Sequence, residues 1–242
     1  MNRTIRRIVR AIPPLRTAGR AIRDFSRRDQ LTMALYEKIF ERRRLTLPQA
    51  EPEVLVPSVE SVEVPTFHPL LAGEDTPLID LLFLLAVAKA RRVRRILEVG
   101  TYRGRSAFAF HLNCPDAEIV SYDIQILSSP YRTELERIQR VELRHASFSA
   151  SVAALRKEKP FDLIFIDGAH DLQSVCDDSK LAFEIVDPTG IIIWHDYRRT
   201  GYFEPKLQVP EALDFVREDK ELLHVRGTTC AVYCPATKAR YK

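Results

Sequence analysis

Two stretches of this chain end in groups that bind cations and move protons. "FDLIFIDGAHD" carries Asp167 and His170, and "GIIIWHDY" carries His195 and Asp196. Carboxylates and imidazoles that converge can hold a divalent cation or serve as acid and base. The bland alternatives are an aspartate that caps a helix and a His195 satisfied inside the core, and the residue types alone leave the choice open. A third stretch, "RRILEVGTYRGRSAFAF", passes from an apolar run through Gly100 and Gly104 into a helical pattern. A dinucleotide site needs GxGxxG so that backbone amides can approach a pyrophosphate. Here the glycines are four apart, Tyr102 and Arg103 lie between them, and Glu98 precedes the first by two residues, where it repels a phosphate and favours a cation. The stretch suits a ligand with a positive centre, or a tight turn with no ligand. Asp123, in "EIVSYDIQ", is an acid placed to accept both hydroxyls of a ribose. Ser147, in "HASF", is either a small rim against an adenine edge or an N-cap.

The elements that must position these groups alternate. The patterns predict a helix at 77–91, strand 95–99, helix 104–113, strand 118–123, helix 130–140, strand 141–145 and helix 149–158. Strand 161–166, helix 171–186, strand 190–195, helix 209–218 and strands 221–226 and 229–234 follow. Such alternation implies an α/β fold with a parallel sheet covered on both faces. The last two strands, with "GT" between them, must form an antiparallel pair. The expectation is a doubly wound, mostly parallel seven-stranded sheet, with ligands beyond the carboxyl ends of its strands.

The flanking sequence differs in character. Residues 1–45 hold 13 Lys or Arg against 4 Asp or Glu, leaving 24 against 29 for the remainder, so the net charge of +4 hides a basic head. Three parts are expected: a basic amphipathic helical extension at 1–46, a proline-rich connector at 47–75, and the α/β domain at 76–242. The extension can pack on its own domain or on a second subunit, or it can dock on an anionic membrane or a partner protein. A homo-oligomer is expected from it, and nucleic acid is not, since no zinc or helix-turn-helix pattern is present. The longest apolar run, "LIDLLFLLAVA", is broken by Asp80 and is far short of the roughly 20 residues needed to cross a bilayer. The arginine-rich start lacks a secretory pattern, so a cytoplasmic location, with peripheral membrane contact as an option, is expected. Four cysteines without a CxxC pair read as reduced thiols.

With "LEVGTYRGRSA", "IVSYDIQ", "FDLIFIDGAHDLQSV" and "GIIIWHDYRRTGYFEPKLQVPEALDF" in this order, the chain resembles the class I S-adenosylmethionine-dependent methyltransferases. More narrowly it resembles the branch with DGxH and HDY motifs, related to catechol-type and macrolide-sugar O-methyltransferases. The resemblance covers about residues 76–234 and implies a Rossmann-like methyltransferase fold with S-adenosylmethionine as cofactor. Glu98 would meet the methionine end, and Gly100, Tyr102 and Gly104 would shape its backbone path. Ser106 would take the methionine carboxylate, Asp123 the ribose and Ser147 the adenine side, with Asp167 close to the cofactor. The magnesium ligands of metal-using relatives fall on Asp167 and on His195 with Asp196. His195 departs from the acidic pattern, and magnesium prefers oxygen. His170 stands where catechol-type enzymes carry a catalytic lysine. With an ordinary pKa of about 6.5, an imidazole can take a proton at neutral pH. The implied activity is O-methylation of a hydroxyl on a small molecule or sugar. A non-catalytic cofactor-binding scaffold is the alternative, and an oxidoreductase is disfavoured by the missing GxGxxG. Tyr197, Tyr202 and Phe203 can form an aromatic wall for the acceptor or pack at an interface.

Overall fold

In the computed structural model, residues 45–56, 61–64, 76–198, 207–218 and 220–235 are described. Contacts divide the chain between Arg44 and Leu45, and everything below concerns the second unit. The expected helical extension, Tyr202 and Phe203 lie outside the described residues.

Buried parallel strands need apolar side chains on both faces, and the central runs supply them. Strands β1 (Gln49–Ala50), β2 (Arg95–Val99), β3 (Glu118–Asp123), β4 (Val141–His145), β5 (Phe161–Ile166), β6 (Val186–Trp194), β7 (Leu222–Val225) and β8 (Ala231–Tyr233) form one sheet, ordered β1-β7-β8-β6-β5-β2-β3-β4. The β2–β3, β2–β5, β3–β4 and β5–β6 pairs are parallel, and β8 runs antiparallel to both β6 and β7. The doubly wound sheet and its closing antiparallel pair are as expected. The sheet has an eighth member, because Gln49 and Ala50 of the proline-rich stretch pair parallel with His224 and Val225. A two-residue strand leaves no periodic pattern to read.

Alternation divides the side chains cleanly. Ile96, Ile119, Leu163, Phe165, Ile191 and Ile193 face one hydrophobic core, while Leu97, Val120, Ile164, Ile166, Ile192 and Trp194 face the other. The first core is closed by helices α2 (Leu78–Ala90), α3 (Arg105–Asn113) and α4 (Pro130–Leu135). The second is closed by α5 (Val152–Leu155), α6 (Leu172–Ile185) and α7 (Val209–Val216), and α1 (Pro52–Leu55) adds Leu55 to the first.

Local chemistry sets the helix starts. Ser129 caps α4 by accepting from the Arg132 amide at 3.0 Å, with Pro130 in the first turn, and Asp171 caps α6 by accepting from Ser174 at 3.1 Å. The strand expected at 190–195 begins earlier, at Val186, and carries Pro188, Thr189 and Gly190 inside it. Its register against β5 jumps between Phe161 and Leu163, and Asp187 Oδ1 accepts from the Thr189 amide and hydroxyl across the irregularity. Among the described residues no helix is long and apolar enough to cross a membrane, and all four cysteines are free and buried.

Candidate active site

Register aligns the strand ends. Val99 of β2 lies opposite Ile166 of β5, and Ile166 lies opposite Trp194 of β6. Backbone bonds extend the alignment by one residue, from the Asp167 amide to Val99 O at 2.8 Å and from the His195 amide to Ile166 O at 3.0 Å. The residues that follow each strand are thereby gathered on one rim, at the reversal of strand order between β2 and β5. They enclose a cavity of about 580 Å³. Of the residues expected at a site, Gly100, Tyr102, Ser106, Asp123, Ser147, Asp167, His170, His195 and Asp196 line it.

Glu98 and Gly104 are not among the lining residues. Glu98 is fully buried behind the loop, with Oε2 accepting from the Ser121 hydroxyl. Burial pushes its carboxyl up to about 7, against the lowering effect of hydrogen bonds from Ser106 and Ser121. Its Oε1 has no hydrogen-bond partner. Gly104 makes the turn: it is left-handed at φ +80°, its amide donates to Thr101 O, and a Cβ there would lie 2.7 Å from Leu135 Cδ1. Gly100 is required more strictly, since at φ +102° a Cβ would lie 2.0 Å from Asp167 O.

Asp123 closes the other side of that loop. Its Oδ2 accepts from the Tyr102 amide at 2.6 Å and its Oδ1 from the Gln125 amide at 2.8 Å, which fixes the carboxylate while each oxygen keeps acceptor capacity toward the cavity. Ser147 lines the wall and does not cap α5; its hydroxyl lies 3.4 Å from that of Ser149.

Asp167, His170 and Asp196 come together on this rim. One ligand atom from each lies within 4.8 Å of the others, two oxygens and an imidazole nitrogen. His170 Nε2 is 3.1 Å from Asp196 Oδ2 and 3.7 Å from Asp167 Oδ1. Burial disfavours its charged form, but the two carboxylates outweigh this and lift His170 to about 9. An imidazole that needs little shift to work at neutral pH is therefore not what the fold provides. The same partners act in reverse on Asp167: burial raises it, and His195 and His170 hold it below the usual carboxylate range. Asp196 sits in the left-handed region at φ +59°, which an aspartate tolerates.

His195 is placed differently from the expected third ligand. It is 3 % exposed, with Nδ1 3.1 Å from both Asp167 Oδ1 and Asp196 Oδ1 and Nε2 3.1 Å from Asp80 Oδ2. Among the described residues the group that could hold a cation is Asp167, His170 and Asp196, and His195 is not in it. Tyr197 is likewise a packing residue, since its buried hydroxyl accepts from the amides of Thr46 and Leu47 at 3.2 and 3.0 Å. Sequence reasoning missed Ser174 and Asp178, which reach the cavity from one face of α6, and burial pushes Asp178 up to about 6. Their spacing of four after the Asp171 cap was the available signal.

Comparison with known proteins agrees with this geometry. Residues 97–197 match the family model described as a methyltransferase domain. An O-methyltransferase, hkm8, from Aspergillus hancockii is 30% identical over 132 residues, which is 50% of this chain and 50% of that protein. The chain thus spans about half the length of the curated relative it matches. Among solved structures, the Podospora anserina methyltransferase PaMTH1 with bound SAH has a TM-score of 0.51 at 22% identity, covering 69% of this chain and 81% of that one. The Bacillus cereus O-methyltransferase in complex with SAH has a TM-score of 0.53 at 21% identity, covering 68% and 84%. The resemblance to class I S-adenosylmethionine-dependent methyltransferases is borne out over the residues that the family model matches. The sheet carrying them has the Rossmann-like fold of those enzymes.

Proposed function

We propose that the chain transfers a methyl group from S-adenosylmethionine to a hydroxyl of a small molecule or sugar. The observation that carries this reading is one cavity lined both by Gly100, Ser106 and Asp123 and by Asp167, His170 and Asp196. The cavity suits the cofactor: Asp123 presents a carboxylate fixed by two backbone amides, and Ser106 and Ser147 add hydroxyls to the same wall. When bound, the cofactor supplies an electrophilic methyl on a sulfonium, which leaves as a neutral thioether. Asp123 would accept the ribose hydroxyls, Ser106 would border the methionine carboxylate, and Ser147 the adenine. Tyr102, whose amide is tied to Asp123, holds the loop to that shape. His170 Nε2 takes the proton of the acceptor hydroxyl as its oxygen bonds to the methyl carbon. Only the neutral imidazole can do so.

Asp167 and Asp196 could hold a divalent cation through oxygen, with His170 Nε2 left free as the base, since a nitrogen bound to the ion could not take a proton. Such an ion would supply positive charge that lowers the pKa of the acceptor hydroxyl. Rate enhancement by the chain itself comes from orientation and fixed charge. Residues 1–44 are proposed as a basic extension that meets another protein surface; the domain begins at Leu45, since Gln49 and Ala50 of the expected connector are part of its sheet.

Calorimetric titration of the purified chain with S-adenosylmethionine and, separately, with NAD tests the reading. Saturable binding of the first alone, followed by methyl transfer to a panel of phenolic and sugar hydroxyls, is expected. Binding of NAD alone, or of neither, overturns it.

A further inference from the structure

Asp80 does not line the cavity, yet it is bonded to a residue that does. It lies in the first turn of α2, whose buried side is otherwise apolar, and its exposure is 0 %. A carboxylate so placed is strongly disfavoured unless hydrogen bonds replace its water. Three do. The Thr229 amide donates to Oδ1 at 2.9 Å, the Thr229 hydroxyl donates to Oδ2 at 2.8 Å, and His195 Nε2 lies 3.1 Å from Oδ2. A carboxylate only accepts, so each ring nitrogen that faces one carries a hydrogen, Nε2 toward Asp80 and Nδ1 toward Asp167 and Asp196. The ring is thereby turned with Nδ1 toward Asp167 and Asp196, 3.1 Å from an oxygen of each. Phe165 meets its face edge-on at 6.2 Å and limits other orientations.

We propose that Asp80 is a positioning residue of the site: by holding Nε2 of His195 it sets the ring between the Asp167 and Asp196 carboxylates and keeps them together on the cavity floor. Ligating histidines elsewhere are oriented by a carboxylate on their far nitrogen; here the oriented histidine itself holds the carboxylates. The inference rests on reading Asp167 and Asp196 as site residues. A purely structural Asp80 would serve only to tie the β7–β8 connection to α2 through Thr229.

The two roles separate by side-chain NMR of the full chain labelled with [15N]histidine, with His195 and His170 signals assigned from His195→Gln and His170→Gln. In the wild type a solvent-protected Nε2–H signal from His195 is expected. Asp80→Asn keeps the shape and changes the bonding: the fixed Thr229 amide claims the single oxygen, the new NH2 faces His195, and Nε2 becomes an acceptor. Loss of the His195 Nε2–H signal and movement of the His170 signals are expected in this variant and in Asp80→Ala. Thr229→Val removes one bond to Asp80 and leaves His195 untouched, so both signals stay in place. The proposal is overturned by a wild type without the protected signal, by its survival in Asp80→Asn, or by an equal disturbance in Thr229→Val. Should Asp80→Ala not fold, the isosteric Asp80→Asn and the wild-type spectrum decide. Calorimetry with S-adenosylmethionine on the same samples keeps the failures apart: a wild type that binds none sinks the methyltransferase reading and leaves the His195 result standing.

Discussion

His170 is the residue whose setting most constrains the chemistry. With two carboxylates beside it and a pKa raised to about 9, it is the acid form that prevails at neutral pH. A base must be neutral to act, so kcat/KM for methyl transfer should rise with pH and level off near 9. His170→Gln should lose that limb along with a factor of about 10²–10⁴ in rate. A profile that is flat from neutral pH to 9 removes His170 from the role. Glu98 makes a prediction about stability instead. Its carboxyl moves from 4.5 to about 7 in the folded chain, so between those values the native state holds more proton than the unfolded one. Stability from this group is present below pH 4.5 and declines as pH rises toward 7, by on the order of 3 kcal/mol. In urea titrations Glu98→Gln should therefore gain on the wild type between pH 4 and pH 8, and a difference constant with pH would contradict the assignment.

At the scale of elements, the loop from β2 to α3 depends on one atom's absence. In Gly100→Ala the new Cβ runs into the Asp167 carbonyl, part of the backbone that brings β5 to the site, and neither strand can retreat without breaking the Asp167–Val99 bond. A loss of about 3 kcal/mol or more, with weakened S-adenosylmethionine binding, is expected by urea denaturation and calorimetry. A substitution that costs neither would mean that the loop is not held as described. The same elements show what could be read from sequence. Continuous apolar runs such as Phe161–Ile166 are buried on both faces, so β2, β3, β4 and β5 matched expectation to the residue. The short helices were read too long: α4 stops at Leu135 because Arg137 and Ile138 bond to carbonyls three residues back, and β4 follows directly. Strand-end acids were legible because parallel topology must place them on one rim. Asp80 was visible only as a break in an apolar run, since its partners lie 115 and 149 residues away. Glu98 was singled out, but that it would sit behind the cavity wall depends on Ser121 of the neighbouring strand.

At the scale of the whole sheet, each central strand contributes alternate residues to two cores, so neither core can be lost while the other keeps its strands. Leu84 of α2 and Leu213 of α7 are both fully buried, one on each face. Truncation to alanine at either position should cost about 2–5 kcal/mol. The chain has a single tryptophan, Trp194, and it lies on the Leu213 face, its ring tilted against that of Phe183 at 5.7 Å. If the sheet couples the faces, Leu84→Ala should shift the urea midpoint seen by Trp194 fluorescence as far as the midpoint seen by far-UV circular dichroism. Leu213→Ala should do the same, and the double variant should lose the sum of the two, because the sites share no contacts. A Leu84→Ala chain in which Trp194 fluorescence keeps its wild-type midpoint while the dichroism moves would show the faces unfolding separately. The strand ends that carry Asp167 and Asp196 would then be anchored by the α6–α7 side alone.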